Sequence, residues 1–388
     1  MSDDRLLVGG KLVLPDRVLE GGALLLSGGK IEAIIEADGE LPSLPRHDLG
    51  GAWVTPGLVE LHIHGAGGIG FDELEAGPAS GRGPDVAKAA ASLRRIAAFL
   101  RSRGVTTFVP TLVSRERELA LLAAAIEEAA LPRSTLPGIY LEGPFINPAR
   151  RGGIPADAIM AYDRAALDRI LSLARDKVLL MTFAPELPHS GELAAALAAR
   201  RILPCLGHSD ASIDRDPLPA EPFSITHLFN AMSPFSHKEA GLAMLPFVDG
   251  RPFVELNADG VHVGAPALRA AARALDPSRL ILISDAVVAA GLPHGEYSYY
   301  GKKIVSGPDG VRHADTKVLM GSNRLAPEVL RNWLAVTGAP IPSALRALTL
   351  NPARALGLAR SKGAIAPGLD ADLVVWDGNF EGVREVIG

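Results

Sequence analysis

The 388-residue chain has a net charge of −5, with 48 % hydrophobic and 21 % charged residues. This balance is typical of a folded globular protein and excludes a chain too polar to build a core. It offers no broad basic face for nucleic acid or for an anionic membrane surface, so we predict neither as a partner. Single cores stop growing near ~250–300 residues, so we expect one large domain and a smaller one.

The composition and the amino terminus predict a cytoplasmic protein. The first five residues lack the basic and apolar regions of a signal peptide, and no apolar run reaches the ~18 residues of a membrane helix. Cys205 is the single cysteine, so no internal disulfide can form, which fits a reducing compartment.

Both ends of the chain have the pattern of a small β domain. Short apolar runs broken by Gly and Pro predict strands and hairpins at 6–8, 11–14, 23–26 and 31–35. Residues 363–377 end in a further β run after turn residues. Because chain termini often lie close together, we predict that residues 1–55 together with 351–388 form a small β-sandwich domain.

Residues 56–350 alternate between strand and helix patterns. Candidate strands lie at 58–64, 106–111, 138–142, 178–184, 202–208, 224–228, 253–258 and 280–285. The clearest helical patterns lie at 86–103, 116–130, 163–175, 192–201 and 266–275. Eight strands alternating with helices over roughly 250 residues predict an α/β fold, a (β/α)8 TIM barrel that forms the catalytic domain. A doubly wound open sheet is the alternative architecture.

Metal-compatible side chains stand at the carboxyl ends of five predicted strands, where a TIM barrel holds its chemistry. His62 and His64 are one residue apart, so in a strand both point to the same face. The complete set is His62, His64, Glu142, His208, His227 and Asp285. Their joint placement predicts a metal centre.

The types of these residues indicate a hydrolase. We assign Glu142, His208 and His227 to one divalent ion, and His62 and His64 to a second, with Glu142 bridging. A divalent metal lowers the pKa of its water to about 7 and can polarise a carbonyl, which predicts hydrolysis of an amide or ester. Zinc is the ion we expect first; iron, nickel and manganese also suit these ligands. Asp285 is the predicted general base and acid.

Several motifs together resemble the N-acetylglucosamine-6-phosphate deacetylases of the amidohydrolase superfamily. They are PGLVELH (56–62), LEGPF (141–145), GHSDA (207–211), THLFNAM (226–232), ADGVH (258–262), SDA (284–286) and the terminal stretch 368–377. The resemblance covers nearly the whole chain. It implies a barrel beside a small β-sandwich, removal of an acetyl group from a phosphorylated amino sugar, and a homodimer.

The resemblance also implies a set of substrate contacts. Asn230 and the amide of Ala231 would hold the phosphate, and His262 would contact the sugar. The other implied substrate-binding residues are Gly153, Ile154, Lys238, Asp259, Leu319, Met320 and Gly321.

Two of these positions depart from the family pattern. Ile154 stands where the family commonly has a histidine that polarises the acetyl carbonyl, and an aliphatic side chain cannot donate a hydrogen bond. A second ion held by His62 and His64 could polarise that oxygen instead. Lys238 replaces an arginine and loses its planar donor geometry. The substrate therefore stays open between the phosphorylated sugar, an unphosphorylated N-acetyl amino sugar and another N-acyl compound.

Three other interpretations carry less weight. Residues 65–70 match the G-x-G-x-x-G dinucleotide pattern, but no helix is predicted directly after them. A cyclic-amide hydrolase usually has a carboxylated lysine between its metals, and no lysine follows a predicted strand here. A non-catalytic barrel scaffold would be expected to have lost metal ligands.

Overall fold

The computed structural model describes residues 4–74, 85–113, 115–220 and 222–388. Its first seven strands are short and come before any helix. They lie at Arg5–Val8 (β1), Lys11–Val13 (β2), Val18–Glu20 (β3), Ala23–Ser27 (β4), Lys30–Ile35 (β5), Arg46–Asp48 (β6) and Trp53–Pro56 (β7).

Eight parallel strands form the central sheet. The first is Leu58–Ile63 (β8), and a small hairpin of Gly65–Ala66 (β9) and Ile69–Gly70 (β10) follows it. The other seven are Val105–Leu112 (β11), Ile139–Glu142 (β12), Val178–Phe183 (β13), Leu203–Leu206 (β14), Ser224–Ile225 (β15), Phe253–Asn257 (β16) and Leu280–Ile283 (β17). They are hydrogen-bonded in chain order, and a bridge between Ile63 and Ala286 brings the two edges together. The predicted barrel is confirmed as nearly closed, and the doubly wound alternative is wrong.

Helices occupy most connections between the barrel strands. They lie at Val86–Arg101 (α1), Glu116–Ala129 (α2), Arg164–Leu173 (α3), Ser190–Ala199 (α4), Leu245–Val248 (α5), Ala265–Ala274 (α6), Ala326–Thr337 (α7), Ile341–Arg346 (α8) and Leu350–Ala355 (α9). In α1, Ala89, Leu93, Ile96 and Leu100 recur at helical spacing and are buried against the barrel, which explains why this segment folds as an amphipathic helix.

A four-stranded antiparallel sheet follows the last barrel strand and is absent from the sequence prediction. Its strands are Gly295–Tyr299 (β18), Lys302–Gly307 (β19), Gly310–His313 (β20) and Leu319–Gly321 (β21). The parallel bridge between Ala286 and Ser322 ties the end of this sheet to the barrel edge. Residues of β21 are thereby carried to the carboxyl end of the barrel.

The two ends of the chain share one sheet and a core. Leu373–Asp377 (β22) pairs with both β7 and Gly382–Ile387 (β23), and β2 and β3 complete that five-stranded sheet. A second sheet contains β1, β4, β5 and β6. Side chains from both sheets, among them Leu12, Leu24, Val54 and Val375, pack into one buried cluster. Within the described ranges, no helix is both long and apolar enough to cross a bilayer.

Lys362 joins the end of the chain to the amino-terminal side of the barrel. Its Nζ lies 2.8 Å from Asp372 Oδ2, 3.3 Å from Thr106 Oγ1 and 3.1 Å from the carbonyl oxygen of Ser134. The residue is only 2 % exposed. A buried ammonium ion is tolerated here because a carboxylate and two further oxygens replace its hydration.

We expect Lys362→Met to lower the free energy of unfolding by about 3 kcal/mol, because Asp372, whose side chain is only 14 % exposed, would lose its cation. The matched control is Lys30→Met, which breaks the exposed pair with Asp370 and should cost less than about 1 kcal/mol. Urea unfolding of both variants measures the difference. Equal losses in the two variants would contradict the account of Lys362.

Candidate metal centre

Six polar side chains converge at the carboxyl end of the barrel. His62 lies near the end of β8, Glu142 ends β12, and His208, His227 and Asp285 follow β14, β15 and β17 by two residues. His64 comes directly after β8. The four histidines and Glu142 are buried, and the Asp285 side chain is 14 % exposed. The structure thus brings together every residue that the strand-end pattern singles out.

Glu142, His208 and His227 form the first group. The Nε2 atoms of His208 and His227 lie 2.8 and 2.9 Å from Glu142 Oε1, and 3.0 Å from each other. His208 Nδ1 lies 2.8 Å from the carbonyl oxygen of Arg150, which can only accept, so Nδ1 carries a proton, and in the neutral ring Nε2 is the nitrogen that can bind a cation. Three ligand atoms gathered this closely fit one divalent cation.

His62, His64 and Glu142 form the second group. His64 Nε2 lies 3.3 Å from Glu142 Oε2, and His62 Nε2 lies 3.8 Å from Glu142 Oε1. His62 Nε2 is buried and has no hydrogen-bond partner. Leaving a buried acceptor unpaired is costly, and a cation at this point would remove the cost. The donor set therefore fits a second ion, with Glu142 shared by both groups.

The Glu142 carboxyl is held in its ionised form. Burial alone would raise its pKa, but the charge and hydrogen bond of His208 and the hydrogen bonds of His227 and His64 outweigh burial. They hold the pKa of Glu142 well below its ordinary value. A carboxylate, which is the form that binds a cation, is thus maintained at neutral pH.

Three of the converging residues have a backbone conformation that side chains disfavour. The φ angles of His208, His227 and Asp285 are 48°, 30° and 50°. Each such residue costs roughly 1–3 kcal/mol and persists only where its surroundings hold it. The bond from the Asp285 N–H to the carbonyl oxygen of His62 at 3.0 Å is one such restraint. This turn of the backbone marks the point where three strands end and their side chains enter the site.

Asp285 lies between the metal-ligand groups and His262. Its Oδ1 is 3.4 Å from His64 Nε2 and 3.7 Å from His62 Nε2, and its Oδ2 is 3.5 Å from His262 Nε2. Asp259 Oδ2 in turn lies 2.8 Å from His262 Nδ1. Burial opposes ionisation of Asp259, but the hydrogen bond and charge of His262 outweigh burial and lower the pKa of Asp259 to about 2. Asp259 therefore acts on the site by fixing the His262 ring.

A cavity of about 300 Å³ opens above these groups. Most of the substrate-binding residues implied by the resemblance line it. These are Gly153, Ile154, Asn230, Ala231, His262, Leu319, Met320 and Gly321. Two others do not: Asp259 is buried behind His262, and Lys238 is exposed on a loop where its N–H lies 3.3 Å from Ser236 Oγ.

Sequence reasoning missed several residues of this region, among them Tyr299, Tyr300 and Glu255. Tyr299 and Tyr300 line the cavity, and the Tyr300 hydroxyl donates to Asp72 Oδ2 at 2.8 Å. Burial raises the pKa of Asp72 to about 7. Glu255 lies beneath the site, with Oε2 3.1 Å from His62 Nδ1. Glu255 could have been noticed as an acidic residue inside an otherwise apolar predicted strand. No sequence pattern singled out Tyr299 or Tyr300.

Comparisons with known proteins agree with this geometry. The model of the amidohydrolase family matches residues 53–386. The N-acetylglucosamine-6-phosphate deacetylase of Bos taurus is 35% identical over 381 residues, covering 93% of this chain and 90% of the relative. That of Bacillus subtilis is 30% identical over 392 residues, covering 98% and 95%. The crystal structure of N-acetyl-D-glucosamine-6-phosphate deacetylase from Mycobacterium smegmatis has a TM-score of 0.84 at 30% identity, covering 98% of both chains. The chain belongs to the amidohydrolase family.

Proposed function

We propose that this chain removes the acetyl group from N-acetylglucosamine-6-phosphate, giving glucosamine-6-phosphate and acetate. The observation that carries the proposal is the position of Asp285, which faces His62 and His64 of the second ligand group and lines the cavity. Similarity to deacetylases named for this substrate supports it. A non-catalytic scaffold is disfavoured because the chain keeps every predicted ligand in one cluster.

The chain's residues have distinct roles in this proposal. Glu142, His208 and His227 would hold one divalent ion, and His62 and His64 a second, with zinc expected first and iron, nickel or manganese as alternatives. Such ions, when bound, supply a water activated at neutral pH and a Lewis acid for the acetyl carbonyl. Asp285 accepts a proton from the attacking water at Oδ1 and returns it to the nitrogen of the leaving amine.

Ile154 makes the second ligand group necessary in this scheme. It is buried in a cluster with Val113 and Ile146 and offers the substrate no hydrogen-bond donor. Losing one donor to a developing oxyanion can cost about 10²–10³ in rate. We therefore propose that both ligand groups are required for turnover.

The position of Lys238 favours a second candidate substrate. Asn230 and Ala231 line the cavity, whereas Lys238 is exposed and lies outside the described lining. Within this chain a phosphate would then lack the cation that the family pattern supplies. An unphosphorylated N-acetyl amino sugar or another N-acyl compound is the alternative that this observation supports.

Three broader proposals accompany this activity. The shared core of the terminal sheets supports a small β-sandwich domain formed by residues 1–55 and 351–388, with residues 56–350 as the catalytic barrel. Similarity to the deacetylases is our ground for proposing a homodimer. The single cysteine, Cys205, is buried and unpaired, which agrees with a cytoplasmic location.

Acetate release from N-acetylglucosamine with and without a 6-phosphate tests the substrate. We expect a clearly higher kcat/KM for the phosphorylated sugar, and we expect Asn230→Ala, which alters a residue that lines the cavity, to raise KM for that sugar alone. Asp285→Asn is the control, because it should reduce turnover of both sugars by about 10²–10⁴. Equal kcat/KM for the two sugars would refute recognition of the phosphate and support the alternative.

Replacing His62 and His64 together by alanine tests the need for the second ligand group. We expect activity to be abolished, since neither Ile154 nor any remaining ligand would take over polarisation of the acetyl oxygen. Turnover and metal content are measured on the same sample. Near-normal turnover with a single ion bound would rule out this part of the proposal.

A further inference from the structure

The barrel interior directly beneath the metal centre is polar. Barrel interiors are usually filled by Val, Ile and Leu. Here a connected set of buried side chains occupies that position instead, namely Glu255, Tyr140, Thr182, Ser224 and Thr226. A buried polar network is costly unless each of its polar groups is paired, so its presence here indicates a specific role.

Glu255 is the charged member of this network and is fully buried. Its Oε1 accepts hydrogen bonds from the Tyr140 hydroxyl and from Ser224 Oγ, both at 3.1 Å. Its Oε2 lies 3.1 Å from His62 Nδ1. The Tyr140 hydroxyl also lies 3.4 Å from Oε2. The carboxylate is therefore fixed by two hydroxyl groups, and its Oε2 contacts the imidazole of His62 as well.

This contact determines which nitrogen of His62 carries the proton. A carboxylate can only accept, so Nδ1 is the donor, and in the neutral ring, which is the form that binds a cation, Nε2 carries the lone pair. Nε2 has no hydrogen-bond partner, and it faces Glu142 Oε1 at 3.8 Å and Asp285 Oδ1 at 3.7 Å. The lone pair is thus directed toward the second ligand group.

We propose that Glu255 is a positioning residue for a divalent cation held by His62 and His64. It fixes the ring orientation and tautomer of His62, and its buried negative charge offsets that of the cation where little water is present to do so. The inference rests on the proposed function only in treating this second group as a metal site. It identifies Glu255, inside the barrel, as a residue that controls whether the second ion binds.

Glu255→Gln and Glu255→Leu test this role. Glutamine has nearly the same shape, but its amide can donate to Nδ1 and so shift the His62 proton to Nε2; leucine cannot accept in any orientation. The metal-free full-length proteins are titrated with Zn²⁺ against a chromophoric chelator. We expect affinity for the weaker of two ions to fall by about 10–100-fold, while affinity for the tighter ion is unchanged.

Thr182→Val is the matched control. Thr182 belongs to the same buried network through Tyr140 and Thr226 but does not contact Glu255. Its loss should leave both Zn²⁺ affinities unchanged. If the Glu255 variants do not fold by circular dichroism, Ser224→Ala serves instead, because it removes one hydrogen bond to Glu255 and should weaken only the second ion.

The outcomes separate this inference from the proposed enzymatic activity. Binding of one Zn²⁺ per native chain, unchanged second-ion affinity in the folded variants, or equal weakening of both ions would overturn the role of Glu255. Zn²⁺ binding is measured without substrate. A native chain that binds two ions through Glu255 yet releases no acetate would leave this inference standing and refute the proposed function.

Discussion

Four imidazole rings surround the single carboxylate of Glu142 at the mouth of the barrel, and the arrangement of the site depends on that shared contact. One carboxylate oxygen faces His208 and His227, and the other faces His64. With so many lone pairs in a buried space, the cluster is stable only with compensating positive charge, from protons or from a divalent ion. The unpartnered Nε2 of His62 favours the ion.

The barrel is what makes this contact possible. Parallel strands end at the same edge of a sheet, so residues far apart in sequence meet there once the helical connections return the chain to the same edge. His208, His227 and Asp285 leave their strands through left-handed backbone conformations, which the neighbouring strands hold in place. The large buried core stabilises the fold despite that strain. The strained residues in turn hold their side chains in fixed positions at the carboxyl end of the barrel.

Local patterns were sufficient to predict the barrel and the convergence of the His, Glu and Asp side chains at its carboxyl end. The two-residue spacing of His62 and His64 fixes their common face, and Glu142, His208 and His227 each follow an apolar run whose end is readable from the sequence. The sheet at the carboxyl end of the barrel, from β18 to β21, was not predictable in this way. The strands β18 (GEYSY) and β19 (KKIVSG) alternate in burial but contain few apolar residues, so their sequence pattern is weak, and Tyr299 and Tyr300 were missed with them. Glu255 was missed because charge in a strand ordinarily indicates an outward-facing residue.

Anomalous X-ray diffraction at the zinc edge, from crystals of the zinc-loaded protein, measures whether cations occupy both groups of side chains around Glu142. We expect one peak about 2.0–2.2 Å from the Nε2 atoms of His208 and His227 and from a Glu142 oxygen, and a second peak beside His62 and His64. The absence of any peak among these side chains, with zinc bound elsewhere or not at all, would contradict this prediction.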